Sequence, residues 1–275
     1  MSTLNLGPLS IPIGPLLLLA AYFAATTVAK WQAKSSHLEL DRLLWRILIG
    51  GIVVARAAFV IQYFDLYQKE PWRMLDIRDG GFAVFPGMFA VAVLAVWFVM
   101  RRQKIRRPLL LSIVAGSLVW ATGATISSRP SAVSQPIPEL TLSGLDGAPV
   151  ALRSFAGKPV VINLWASWCP PCRREMPALQ DAQKRHQDIV FVFANQGESG
   201  DTVRAFLKSQ GLALDNVLLD PPMQLGGSTG SSAFPTTLFF NAQGILVDRR
   251  AGELSSASLA HKIEALREVT TTSGR

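Results

Sequence analysis

The sequence predicts two fold classes in series: an α-helical transmembrane half of about four helices, then an α/β domain. Two observations point to the first. Apolar runs long enough to cross a bilayer recur through residues 1–126, and the excess positive charge sits among them. One observation points to the second. The β-branched run Val160-Val161-Ile162-Asn163-Leu164-Trp165 leads into Trp168-Cys169-Pro170-Pro171-Cys172 and then at once into a helical pattern, the start of a strand–helix unit.

The 275 residues leave room for two domains, and 49% apolar residues is too many for an ordinary soluble pair. The formal charge of +8 is unevenly placed. Residues Met1–Pro130 hold 14 Lys+Arg against 6 Asp+Glu, whereas Ser131–Arg275 hold 13 of each. The whole excess lies in the apolar half, so membrane topology accounts for it and nucleic-acid binding does not.

Met1–Ala29 carries no charged residue. Lacking the basic opening of a signal peptide, it reads as the first transmembrane helix. Leu43–Phe64 is a second span despite Arg46 and Arg56, and Phe82–Met100 and Leu109–Ile126 are two cleaner ones. Between the last two, Arg101-Arg102-Gln103-Lys104-Ile105-Arg106-Arg107 holds five positive charges and no negative one, which places this loop on the cytoplasmic side. Both termini then fall outside. An arginine within a span is costly unless it faces protein, a cavity or the interface. Arg56 is therefore expected to snorkel, to pair with an acid outside the bilayer, or to keep a lipid-binding role. The expected division is a transmembrane domain over 1–126, a Ser- and Pro-rich linker over 127–138, and the α/β domain over 139–275.

Within that last domain, Glu139–Leu142 and Val150–Leu152 read as a hairpin, and Val160–Trp165 as the central strand. A helix from Pro170 to about Gln187 leads to a strand over Ile189–Ala194, a parallel pair with a right-handed crossover. A helix over about Asp201–Gln210 and a short strand at Val217–Leu219 come next. Thr236–Phe240 and Ile245–Arg249 read as a hairpin, and Ala257–Val269 as a closing helix. Gly226–Ser232, built of Gly, Ser and Thr alone, is expected as a mobile loop where a helix would otherwise stand.

Cys169 and Cys172 are the only cysteines. At a helix start, unpaired backbone N–H groups and the positive end of the helix dipole favour a thiolate at Cys169, and the thiolate is the attacking species in disulfide exchange. Cys172, three residues on and on the same helix face, is placed to attack the resulting mixed disulfide. Pro170 and Pro171 suit a first turn, where a missing N–H costs little. Two other readings stay open on the residues alone. A structural disulfide would close only a two-residue loop and stabilise weakly. A metal site would need further ligands, and His37, His186 and His261 lie far off in sequence.

The stretch Gly157-Lys158-Pro159 through Cys172-Arg173-Arg174-Glu175-Met176-Pro177, with Leu218-Leu219-Asp220-Pro221 and Ala233-Phe234-Pro235-Thr236-Thr237, resembles the TlpA/ResA family of membrane-anchored thiol-disulfide oxidoreductases. The likeness covers about residues 136–272 and implies a thioredoxin-like fold. By this resemblance Pro235 is the cis-proline whose loop packs against the cysteines and offers backbone groups to a substrate strand. Thioredoxin itself carries a buried acid where this chain has Asn163. Glu175 matches the glutamate of ResA-like proteins and is a candidate proton acceptor for Cys172 or a tuner of the thiol pKa values; the competing reading is a helix-surface carboxylate flanked by Arg173 and Arg174. The catalytic set is thus Cys169, Cys172, Glu175 and Pro235, with Cys169–Cys172 as the redox-active disulfide. Trp168, Phe234 and Thr236 are the expected substrate-binding residues, and Trp165 is expected in the core.

A second resemblance lies in Arg56-Ala57-Ala58-Phe59-Val60-Ile61-Gln62-Tyr63 and Asp79-Gly80-Gly81-Phe82-Ala83-Val84-Phe85-Pro86-Gly87, which is similar to the amino-terminal part of prolipoprotein diacylglyceryl transferase over about residues 40–100. That family has a His-Gly pair where this chain has Pro86-Gly87, and its later Arg/Asn/Glu motifs have no counterpart here. A reused membrane scaffold is the expectation.

Together these resemblances imply a multi-pass protein of the bacterial inner membrane with its thioredoxin-like domain in the periplasm. Its expected activity is reduction of disulfides in exported proteins, such as apocytochrome c in cytochrome c biogenesis. No cofactor or metal is implied. With no cysteine outside the motif, a separate membrane thiol relay must donate electrons, or a separate oxidase must withdraw them. A disulfide oxidase or isomerase of the same fold, a Cu(I)-binding module, and a lipid-handling protein with a redox regulatory domain are the alternatives.

Overall fold

The computed structural model describes residues 3–6, 9–32, 37–68, 71–127, 135–231 and 233–272. These form two compact units. One is helical and comprises Ile13–Ile77 and Gly81–Arg129; the other is α/β and comprises Met1–Pro12, Arg78–Gly80 and Pro130–Arg275.

Two short strands, β1 (Thr3–Leu6) and β2 (Leu9–Pro12), pair antiparallel ahead of the first helix. The helical unit then holds α1 (Ile13–Gln32), α2 (His37–Gln62), the single turn α3 (Phe64–Tyr67), α4 (Val84–Arg101) and α5 (Arg106–Ser127). Four of these, all but α3, are long and apolar enough to cross a membrane. The first starts at Ile13, so within the charge-free stretch Met1–Ala29 the residues Thr3–Leu6 and Leu9–Pro12 are paired strands and not helix. Pro15, Pro86 and Pro108 each fall in the first turn of α1, α4 and α5, where the lost N–H had no intrahelical partner.

Helices α1 and α5 pack together, as do α2 and α4, through small residues. A Cβ on Gly87 would lie 2.8 Å from the Cβ of Ala55, and one on Gly116 would lie 3.0 Å from the Ala21 carbonyl oxygen. Such close backbone approach is how helices associate where lipid removes the hydrophobic drive.

Arg56 does not snorkel. It is buried, and its guanidinium donates to four backbone carbonyls: Nε to Met74 (3.0 Å), Nη1 to Gly81 (2.8 Å), and Nη2 to Arg73 (2.9 Å) and Asp76 (2.8 Å). The rings of Phe59, Tyr67 and Phe82 lie within 6.0 Å of its charge. These bonds pin the connection after α3, where 3-10 turns occupy Pro71–Leu75 and Ile77–Asp79.

The α/β unit continues with β3 (Thr141–Gly144), β4 (Pro149–Ala151), β5 (Val160–Trp165), α6 (Pro170–Arg185), β6 (Val190–Gln196) and α7 (Gly200–Ser209). It closes with β7 (Val217–Asp220), α8 (Gln224–Thr229), β8 (Thr236–Phe240), β9 (Leu246–Ala251) and α9 (Ser256–Thr272). The seven strands β3–β9 form one sheet, in the order β4-β3-β7-β6-β5-β8-β9. Strand β5 is central, parallel to β6 and antiparallel to β8, and buried along its whole length. That burial explains a continuous apolar run in place of alternation. This is the thioredoxin-like fold expected. Of the segment 127–138 expected as a linker, Ser127 still belongs to α5. Gln135–Pro138 lies on the sheet, with Pro136 bridging Ile245 and Ile137 buried; 128–134 fall outside the described residues.

Gly226–Ser232 is not simply a loop, because α8 runs through Gly226-Gly227-Ser228-Thr229. Asp220 caps it, its carboxyl accepting from the backbone N–H of Gln224 (3.0 Å) and of Leu225 (2.8 Å), while the Leu225 side chain is fully buried. Cap and anchor outweigh the poor helix propensity of two glycines.

Helix α6 rests on the sheet through Met176, Leu179 and Ala182, beside Phe191, Phe193 and Ile263. Truncating Leu179 to Ala should lower stability by about 2–5 kcal/mol, read by urea unfolding of the full chain in detergent.

Candidate functional site

The site forms where β5 runs into α6. Cys169 is the N-cap of α6, and its Sγ accepts from the backbone N–H of Cys172 at 3.3 Å. Pro170 and Pro171 take the first two helical positions. Cys169 and Cys172 are joined as a disulfide with Cα atoms 5.3 Å apart, and both are buried. A thiolate generated at Cys169 would face the unpaired N–H groups and positive dipole end of a 16-residue helix.

Glu175 is not a surface carboxylate. It is fully buried one turn beyond Cys172, and the central strand supplies its partner: Asn163 Nδ2 donates to Oε1 at 2.8 Å and to Thr237 Oγ1 at 3.1 Å. The backbone N–H of Leu254 donates to Oε2 at 2.9 Å. Burial pushes the Glu175 carboxyl up to about 8; the Leu254 and Asn163 bonds hold it back, Glu253 adds to the rise, and Arg250 opposes it. Such a group can give or take a proton near neutral pH. Asn163 thus does not replace the acid of thioredoxin itself; it holds one delivered by the helix.

The Phe234–Pro235 peptide bond is cis, and the Pro235 carbonyl accepts from Gly252 N–H at 2.8 Å. Trp168 is 63% exposed and meets the half-buried Phe234 edge to face, ring centres 6.1 Å apart. These two offer apolar surface beside the disulfide. Thr236 does not join them. Its side chain is buried and its hydroxyl donates to the Ala233 carbonyl at 2.6 Å, so it closes the turn around Pro235 and has no surface left for a substrate. Trp165 is core, 5.4 Å from the Phe206 ring. Arg173 sits over that same ring, and Arg174 pairs with Glu253 at 2.6 Å. Among the described residues no group of three or more His, Cys, Asp or Glu side chains is placed to hold a metal ion.

Sequence reasoning missed Glu198. Its carboxyl accepts from the backbone N–H of Ser167 (2.7 Å), from the Ser167 hydroxyl, and from Asn195 Nδ2 (2.7 Å). The signal that could have found it is register: with Trp165 opposite Asn195 in a parallel pair, residues just past β6 lie beside the turn just past β5.

Fold and site together define a thioredoxin-like thiol-disulfide oxidoreductase. Comparison with known proteins agrees in both halves. Residues 132–263 match the Redoxin family, and residues 2–125 match the prolipoprotein diacylglyceryl transferase family. Thiol-disulfide oxidoreductase ResA of Bacillus subtilis (strain 168) is 32% identical over 182 residues, covering 63% of this chain and 98% of that protein. Thioredoxin-like protein YneN of the same organism is 29% identical over 162 residues (57% and 94%), and thiol:disulfide interchange protein DsbE of Escherichia coli (strain K12) is 30% identical over 179 residues (62% and 96%). The chain belongs to the ResA-type thiol-disulfide oxidoreductases. Its substrates are accordingly protein thiols and disulfides.

The buried carboxyl has a pH signature. Since its folded value of about 8 lies above the ordinary 4.5, the neutral form is favoured by folding, and that contribution is present below about 4.5 and lost as pH rises through about 8. Stability of the wild-type chain relative to Glu175→Gln should therefore fall between those limits and level off above them, as read by urea unfolding at stepped pH.

Proposed function

We propose that this chain is a multi-pass inner-membrane reductase that supplies electrons to disulfides of exported proteins, apocytochrome c among the candidates. The observation that carries the proposal is a Cys169–Cys172 disulfide at a helix N-terminus, with a fully buried Glu175 three residues beyond Cys172 whose carboxyl is pushed up to about 8. The domains run as a transmembrane domain over 1–126, a linker within 127–138, and the thioredoxin-like domain over 139–275. The five positive charges of Arg101–Arg107 favour a cytoplasmic loop between α4 and α5, which puts the redox domain in the periplasm. The lipid bilayer is then a partner of the four long helices.

In the reductive half-reaction the Cys169 thiolate attacks a substrate disulfide, forming a mixed disulfide and releasing one substrate sulfur as thiolate. Cys172 gives its proton to the Glu175 carboxylate and attacks Cys169 Sγ. The second substrate sulfur leaves as a thiolate and takes that proton from Glu175 to become a thiol, and the Cys169–Cys172 disulfide remains. Trp168 and Phe234 hold the substrate's apolar side chains and the Pro235 loop aligns its backbone. A separate membrane thiol relay restores the dithiol, because no other cysteine exists in the chain. Exchange with an oxidase would run the same site backwards, as an oxidase or isomerase.

The match to prolipoprotein diacylglyceryl transferase supports a second reading, a lipid-handling half with a redox regulator. Against it, Arg56 gives four hydrogen bonds to backbone carbonyls of its own unit, which favours a reused scaffold.

The test is insulin reduction by the full chain in detergent with dithiothreitol. Cys169→Ser should abolish it, and unchanged activity would sink the proposal. Glu175→Gln should keep the first attack but slow release of the mixed disulfide by about 100-fold, the scale of one general acid–base group.

A further inference from the structure

We infer that Glu198 is a positioning residue for the exchange reaction: it holds the Ala166–Trp168 turn, through Ser167, so that Cys169 stays seated at the N-terminus of α6. The inference rests on the dithiol reading above and extends it to a residue outside the Cys-x-x-Cys pair and the Pro235 loop.

The turn between β5 and α6 has little else to fix it from the sheet. Cys169 N–H reaches back to the Ala166 carbonyl at 3.2 Å, which closes the turn on itself. Ser167, in the middle, gives both its backbone N–H and its hydroxyl to one carboxyl group, that of Glu198. Asn195, in the last turn of register of β6, gives a third bond to the same carboxyl, so Glu198 is itself held. Gly197, which precedes it at φ +81°, permits the sharp exit from β6 that turns Glu198 toward the site. The next residue, Ser199, caps α7 by accepting from Thr202 N–H at 3.3 Å, which fixes Glu198 from its other side.

The seat matters because nucleophilicity at Cys169 depends on the helix terminus, whose influence fades within a turn. The charged groups near the pair are Glu175 one turn further along α6 with Glu253 and Arg250 beside it, Arg173 and Arg174 on the first turns of α6, and Glu198, just past β6, bonded to the turn that precedes Cys169. A turn released from Glu198 would let Cys169 leave the helix end. Its thiol would then titrate nearer the ordinary value, and the attack geometry would loosen.

The test compares the full chain, reduced and in detergent, as wild type, Glu198→Ala and Glu198→Gln. Two readouts are taken below each variant's unfolding temperature: the rate of reaction with glutathione disulfide, and the pH midpoint of Cys169 alkylation by iodoacetamide. Glu198→Ala should slow exchange by about 10- to 100-fold, the cost of a misplaced reacting group, and move the midpoint upward. Glu198→Gln should restore most of both. Its amide oxygen can accept from Ser167 N–H and Asn195, and its amide N–H can donate to the Ser167 hydroxyl. A merely structural role would lower the unfolding temperature and leave the midpoint in place. If Glu198→Ala does not fold, Ser167→Ala, which removes one of the three bonds, should move rate and midpoint in the same direction by a smaller amount. Wild-type rate and midpoint in the folded Ala variant would overturn the inference. If the wild-type chain itself failed to exchange, the dithiol reading would fall instead, so the two failures are told apart.

Discussion

The structure of the redox unit turns on one carboxyl group. Glu175 is anchored from the central strand by Asn163 and from the segment ahead of α9 by the Leu254 backbone N–H. Those two bonds join the strand that leads into the cysteines, the helix that carries them, and the chain that closes the sheet. A buried polar group of this kind is costly unless its partners are in place. The rest of the unit has to be assembled correctly for it to be tolerated.

From that constraint the site follows. Because β5 is paired on both sides and fully buried, its end is rigid, and the turn after it delivers Cys169 to the helix terminus in a fixed direction. The antiparallel pairing with β8, Leu164 opposite Thr236, sets the cis-Pro235 loop beside the end of β5 that leads to the cysteines. Two neighbours of β5, one parallel and one antiparallel, thus contribute Glu198 and Pro235 to opposite sides of one short turn. The helical half obeys a different economy. There, close backbone approach at glycines and a buried arginine bonded to backbone carbonyls stand beside a smaller apolar cluster around Leu40, Leu43 and Leu109.

How much of this was legible in the sequence depended on how local each feature is. The cysteines, the prolines at the helix start, the four apolar spans and Val160–Trp165 each announce themselves within a few residues, and the structure places them so. Pro235 was legible only through resemblance, since one X-Pro bond looks like another in isolation. The burial of Glu175 was not legible behind the pair Arg173-Arg174, because it depends on which face of α6 meets the sheet. Glu198 was invisible for the same reason: its meaning lies in the register of β5 against β6. Helix α8 was misread because a glycine pair argues against a helix, while the cap that rescues it comes from Asp220, four residues before Gln224. Thr236 looked like a substrate contact beside Pro235 and proved to be part of the turn.

The central claim is that a periplasm-facing dithiol in this chain serves as a reductant. It is tested most directly by the reduction potential of the Cys169–Cys172 pair in the full chain, equilibrated in detergent against dithiothreitol or glutathione buffers. The account predicts a value near that of thioredoxin, roughly −270 mV. A value near roughly −120 mV, that of a strong oxidant, would contradict it.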